Sequence, residues 1–102
     1  MFFISIPLIA QKKEIVKSSF DVKGVCKMCK KRIEKKAFQL KGIKHASWDI
    51  SSNKFLVIYD SKRVSLESIH KAIAQSGHDT SKVKALDETY NKLPYCCLYV
   101  RE

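Results

Sequence analysis

The feature that most constrains the fold of this chain is the order in which its hydrophobic period changes. Val16, Ser18, Phe20 and Val22 alternate with Lys17, Ser19, Asp21 and Lys23. Period two puts Phe20 and Val22 on one face of a strand, and Gly24 allows the chain to turn after it. Over residues 28–40 the period lengthens: Cys29, Ile33, Ala37 and Leu40 recur at helical spacing, with lysines on the opposite face. Gly42 is the expected residue just past that helix. Residues 45–50 alternate again, with Ala46, Trp48 and Ile50 inward, and Ser51-Ser52-Asn53 is turn chemistry. Phe55, Val57 and Tyr59 then line one face of a third strand, which ends at Asp60. Ser65 is the expected cap of a second helix, with Glu67 in its first turn. Leu66, Ile69, Ala72 and Ile73 form its buried stripe, and Gly77 stops it. A short fourth strand is expected over residues 80–85.

Strand, helix, strand, strand, helix, strand predicts an α+β chain of the ferredoxin-like βαββαβ kind, with two helices on one face of a four-stranded antiparallel sheet. Leu56 and Ile58 point to the uncovered face. A chain of 102 residues has room for one core. Residues 15–85 are read as that domain and residues 86–102 as an extension, whose expected short helix (87–93, stopped by Pro94) lies over the uncovered face. Residues 1–14 are read as a separate leading segment. MFFISIPLIA resembles the apolar region and cleavage end of a secretory signal, although no basic residue precedes Phe2 and Leu8 stands where a small residue is usual. The expectation is a periplasmic or exported protein, with a cytoplasmic location as the alternative. No apolar run reaches the ~18 residues a membrane-spanning helix requires.

Chemistry concentrates at Cys26-Lys27-Met28-Cys29, a CxxC at the junction of the first strand and first helix. Three residues of separation across a turn let both sulfurs face one point. The helix N-terminus and the nearby Lys23, Lys27 and Lys30 favour the thiolate form, and thiolates bind soft metals. Two thiolates suit Cu(I) in a low-coordinate site. Alone they do not fill a tetrahedral zinc site, which takes four ligands. The charge has the same address. Of the chain's net +10, most lies between Lys23 and Lys44, where nine Lys and Arg face Glu34 alone. Such a field attracts an acidic partner, and Lys27, Lys30, Lys31 and Lys35 form the expected docking face.

The chain resembles the heavy-metal-associated domain of copper chaperones, metal-pumping ATPases and periplasmic mercury-binding proteins. The matching residues run from Phe20-Asp21-Val22-Lys23-Gly24-Val25-Cys26-Lys27-Met28-Cys29 through Lys31-Arg32-Ile33-Glu34-Lys35-Lys36-Ala37 and Leu40-Lys41-Gly42-Ile43. They continue at Val57-Ile58-Tyr59-Asp60 and at Ile69-His70-Lys71-Ala72-Ile73-Ala74-Gln75-Ser76-Gly77-His78-Asp79. The resemblance covers about residues 16 to 83. It implies a metal carrier, not an enzyme, with Cys26 and Cys29 as ligands and Cu(I) as cargo, Hg(II), Zn(II) or Cd(II) being alternatives. It also implies a partner in the acidic metal-binding domain of a metal transporter or P-type ATPase. Two departures stand out. Only Val25 separates Gly24 from Cys26, where the family usually has two residues. His78 follows Gly77, where the family commonly has Tyr or Lys, so its imidazole is a candidate third ligand. His45 and His70 are expected at the surface.

Cys96 and Cys97 lie outside the resemblance. Three readings stand: ligands that join the CxxC site, a separate thiol pair, or one half of a disulfide. A monomer is expected, with a dimer bridged through one shared metal as the alternative. Two other classes compete with a metal carrier. A thiol–disulfide oxidoreductase would use the same CxxC, without the thioredoxin-like βαβ context. A binder of single-stranded RNA would need exposed aromatics on the open sheet face, but Phe20, Trp48, Phe55 and Tyr59 share the phase that packs under the helices, so no nucleic-acid partner is expected.

Overall fold

A computed structural model describes residues 13–101. The leading segment, read above as a signal remnant, therefore lies almost wholly outside the described residues. The elements are β1 (Ile15–Asp21), α1 (Lys27–Phe38), β2 (Ile43–Trp48), β3 (Lys54–Asp60), α2 (Leu66–Gln75), α3 (Asp87–Asn91) and a 3₁₀ turn at Tyr95–Cys97. The sheet is antiparallel in the order β1-β3-β2. Its register sets Phe20 opposite Phe55 and Trp48 opposite Phe55, so three aromatic side chains form one row across the strands. The Phe20 and Phe55 ring centroids are 5.3 Å apart. Ile33 and Ala37 of α1 and Ile69 and Ile73 of α2 cover this face, all buried with Val57 and Tyr59. The alternating and helical stripes of the sequence thus meet in one core.

The expected fourth strand is a correction: among the described residues the sheet has three strands, and residues 80–85 contribute one bridge, Val22 to Thr80. Local side chains take the backbone groups a strand would use. The Thr80 hydroxyl accepts from the amides of Lys82 and Val83, and the Asp79 carboxylate accepts from the amide of Ala85. Such side-chain-to-backbone bonds compete with a ladder and curl the segment. The position of the bridge, beside β1 on the side away from β3, is that of the outer strand of a ferredoxin-like sheet.

Three smaller expectations also change. Helix α1 stops at Phe38 with Gln39 as its C-cap, so Gly42 belongs to the following turn. Ile50 falls beyond β2 and is exposed. His70 is buried, stacked on Phe20 at 3.8 Å, with Nδ1 2.7 Å from the Thr80 hydroxyl. A polar tip satisfied by Thr80 lets the ring occupy an apolar position, which helical spacing alone does not reveal.

The tail also lies elsewhere than expected. It packs against α1, the CxxC loop and the Gly77–Asp79 turn that follows α2, leaving Leu56 and Ile58 half-buried on the open sheet face. Gly77 makes the close approach possible. Its φ is +104°, and an added Cβ would stand 2.8 Å from Leu93 Cδ2. Leu93, Cys97 and Tyr99 are buried in the same core as the sheet and helices.

Candidate metal centre

The loop before α1 is held from two sides. Asn53, at the tip of the β2–β3 hairpin, accepts from the amide of Val22 (2.9 Å) and donates through Nδ2 to the carbonyl of Gly24 (3.1 Å). From the other side, the amide of Lys23 donates to the Asp79 carbonyl (2.8 Å), and His78 Nδ1 donates to the Lys23 carbonyl (2.8 Å). Below the loop lies Trp48. Its indole N–H donates to the Val22 carbonyl at 2.9 Å, and a Cβ on Gly24 would meet its ring at 2.9 Å. Cys26 is the N-cap of α1 in extended conformation, and its carbonyl accepts the first helical bond from Lys30. Cys29, one turn on, is buried, and its sulfur accepts from the amide of Val25 at 3.5 Å.

The spacing therefore does what it promised: Cys26 Sγ and Cys29 Sγ are 3.4 Å apart. The extension adds sulfur to the same place. Cys26 Sγ is 3.3 Å from Cys97 Sγ and 3.8 Å from Cys96 Sγ, and the three sulfurs of Cys26, Cys96 and Cys97 all lie within 4.8 Å of one another. Met28 Sδ is 3.4 Å from Cys96 Sγ, and Arg32 Nη1 donates to Cys97 Sγ at 3.3 Å. His78 is not a member of this group. It is fully buried, stacked against Tyr99 at 5.7 Å between centroids, and its Nε2 has no hydrogen-bond partner among the described residues. Two surroundings missed at the sequence level matter here: the Arg32 guanidinium and the Met28 thioether. Met28 was visible inside the CxxC, whereas nothing in the pattern linked Arg32 to Cys97.

What fixes the tail is a polar clasp. The Tyr99 hydroxyl donates to the Gly77 carbonyl (2.8 Å) and accepts from the amide of Asp79 (2.9 Å). Arg101 grips the Asp79 carboxylate with Nε and Nη2 at 3.0 and 2.8 Å, and its Nη1 reaches Asp87 at 3.0 Å. Bidentate guanidinium–carboxylate pairs fix geometry as well as charge. The Tyr90 hydroxyl closes the clasp on the Tyr99 carbonyl.

The thiols differ in acidity. Burial raises the pKa of Cys26, but the free amides of Cys29 and Met28 at the helix start and the neighbouring thiols outweigh it and bring it down to about 7. These amides lie at the positive end of the helix, where an ionised sulfur is favoured. Burial drives Cys97 the other way, well above the ordinary thiol range. Alkylation of Cys26 by iodoacetamide should therefore show a pH–rate inflection near 7, read by peptide mass spectrometry. An inflection above pH 8 would contradict the helix-start activation.

Burial holds His78 neutral, with its pKa pushed down to about 4. The unfolded chain binds a proton there at about 6.5, so between the two values the unfolded state carries more protons. The metal-free protein should lose stability as pH falls from about 6.5 toward 4, by up to about 3 kcal/mol from this residue. Urea unfolding at pH 7 and pH 5 measures it. His78→Asn, which can still donate to Lys23, should flatten the difference, leaving the smaller same-direction part from buried His70.

Residues 19–79 match the family model of the heavy-metal-associated domain. The chain is 32% identical over 66 residues to the copper chaperone CopZ of Staphylococcus haemolyticus, a stretch spanning 64% of this chain and 97% of that protein. Among solved structures it is similar to the N-terminal domain of a potential copper-translocating P-type ATPase from Bacillus subtilis in the Cu(I)-loaded state. There the TM-score is 0.63 at 26% identity, over 66% of this chain and 85% of that one. Oxidised MerP from Ralstonia metallidurans shares the fold, with a TM-score of 0.64 at 20% identity over 67% of this chain and 96% of that one.

Proposed function

The chain belongs to the heavy-metal-associated domain family, and from that premise we propose that it is a carrier of soft metal ions, with Cu(I) as its principal cargo. The observation that carries this reading is the Cys26–Cys29 pair, two sulfurs 3.4 Å apart at a helix start that lowers the pKa of one of them to about 7. Half-ionised at neutral pH, Cys26 is ready to bind without a large proton cost. Transfer is ligand exchange. An incoming acceptor thiolate forms a bond to Cu(I), Cys26 or Cys29 leaves, and the second bond then follows. The copper stays Cu(I) throughout.

The acceptor we infer is an acidic metal-binding domain, such as that of a copper-translocating P-type ATPase; the copper-related names of the similar proteins support this. Lys27, Lys31 and Lys35 are exposed at successive turns of α1, whereas Lys30 is drawn inward by Glu34 (2.5 Å) and the Trp48 carbonyl (3.0 Å). Lys30 thus also braces the fold, and the docking face we propose centres on Lys27, Lys31 and Lys35 with Lys30 at its edge. Beside them Val25, Met28 and Tyr95 are exposed apolar side chains, suited to the dry centre of a transient contact.

Cu(I) competition titration followed by transfer to an acidic acceptor domain tests the proposal. In Lys27→Glu/Lys31→Glu/Lys35→Glu the transfer rate at low salt should fall by about 10-fold or more with Cu(I) affinity unchanged, because charge complementarity governs encounter. An unchanged rate would remove these lysines from the docking face.

A further inference from the structure

We propose that Cys96 and Cys97 complete, with Cys26 and Cys29, a four-thiolate site that takes a divalent d10 ion, Zn(II) or Cd(II), in tetrahedral coordination. The inference rests on the assignment of Cys26 and Cys29 as metal-binding thiolates and adds a second binding state to it. Two thiolates from a CxxC leave such an ion half-coordinated. The extension supplies the other half.

Distances carry the argument first. A tetrahedral ion with metal–sulfur bonds of about 2.3 Å sets its sulfurs about 3.8 Å apart. Cys26 Sγ already stands 3.4, 3.3 and 3.8 Å from the sulfurs of Cys29, Cys97 and Cys96. Around Cys26 the required shifts are a few tenths of an ångström; Cys29 stands outside the mutual group of Cys26, Cys96 and Cys97, so closing the fourth bond also draws Cys29 and the tail sulfurs together. The contacts are also well beyond a disulfide bond of about 2.05 Å, so the sulfurs meet without being paired.

The tail is anchored on both sides of its cysteines, which makes the approach a built one. Leu93 seats against Gly77, and Tyr99 and Arg101 clasp the backbone of Gly77 and the amide and carboxylate of Asp79. Between these anchors the 3₁₀ turn has little freedom to carry Cys97 away. Chemistry agrees. Cys29 and Cys97 are buried on the inner side and Cys96 is exposed on the outer side, giving a shielded site with one open approach. Four thiolates around a divalent ion leave a charge of −2, and the Arg32 guanidinium already donates to Cys97 Sγ. Thiols still protonated on the approach of the ion release their protons to solvent.

The two states differ in what they require. Two-coordinate Cu(I) needs Cys26 and Cys29 alone, so it leaves the tail thiols unused. A tetrahedral ion binds residues 70 positions apart in the chain and so ties the extension to α1, with a gain in thermal stability that Cu(I) does not match.

The full chain is titrated with Co(II) as an optical probe and with ¹¹³Cd(II) for nuclear magnetic resonance, under reducing, anaerobic conditions. One equivalent should give intense tetrahedral Co(II) ligand-field bands, a tetrathiolate ¹¹³Cd resonance and a monomer by sedimentation velocity. Cys96→Ser/Cys97→Ser should lower Cd(II) affinity at least about 100-fold and abolish the Zn(II)-dependent rise in melting temperature, while still binding one Cu(I). Cd(II) affinity unchanged in that variant overturns the proposal, as does saturation at half an equivalent with a dimer in sedimentation. Cys97 is buried, so Cys96→Ser alone is the safeguard against a folding defect. It should move the ¹¹³Cd resonance to the three-sulfur range, and an unmoved resonance also overturns the proposal. Loss of Cu(I) binding in the tail variant would instead count against the CxxC as a sufficient Cu(I) site.

Discussion

Cys26→Ser/Cys29→Ser is expected to lower Cu(I) affinity at least about 100-fold, the size reached when outer-shell partners alone are removed from metal sites. The argument separates ligand chemistry from folding. Serine is isosteric enough for both positions, and at Cys26, the N-cap of α1, it is the better helix former, since its hydroxyl satisfies a free amide. At Cys29 a hydroxyl can still accept from Val25, whose amide now reaches the sulfur at 3.5 Å. The variant should keep its far-ultraviolet circular dichroism while exchanging two soft thiolates for hard hydroxyls that Cu(I) disfavours. Competition against a chromophoric Cu(I) chelator measures the loss. An affinity within a few-fold of the parent chain would sink the CxxC reading, and residual weak binding would trace to Cys96 and Cys97.

How much of this was legible in the sequence differs between the halves of the chain. The stripe Cys29, Ile33 and Ala37, the row Phe55, Val57 and Tyr59, and the stripe Ile69 and Ile73 are all buried, because each element faces one core and burial imposes a period. The CxxC was legible for the same reason, since its geometry is fixed by a turn of local chain. The fourth strand failed where local bonds of Thr80 and Asp79 beat the ladder. The tail was misplaced because its anchors, Tyr99 on Gly77 and Arg101 on Asp79, join residues 22 positions apart with no periodicity to announce them. His70 was misjudged, and His78 is buried by the same means. A histidine is buried when one ring nitrogen finds a partner, here Thr80 and the Lys23 carbonyl, and such partners come from other segments.

Trp48→Ala should be the most damaging single change to the fold, costing about 3–5 kcal/mol from the lost ring and the cavity it leaves. Against the 5–15 kcal/mol of a typical domain, that puts a large share of the molecules near unfolding at physiological temperature. The ring is fully buried, pairs across the sheet with Phe55, and holds the Val22 carbonyl at the end of β1. It also fills the space under Gly24, two residues before Cys26. The Trp48 backbone amide, which donates to Glu34 at 2.8 Å, is kept in the variant, so the ring alone is tested. The loss should therefore appear twice: a lower urea midpoint for the metal-free protein, and a weaker Cu(I) site because the loop has lost its floor. Cu(I) binds the folded loop and so should restore part of the midpoint, by RT ln(1 + [Cu]/Kd). Trp48→Phe, which keeps most of the volume but not the N–H, should lose about 1–3 kcal/mol, the cost of an unsatisfied buried carbonyl together with imperfect filling. Equal midpoints for the parent and Trp48→Ala would mean that the CxxC loop and the sheet are not mechanically joined at this residue.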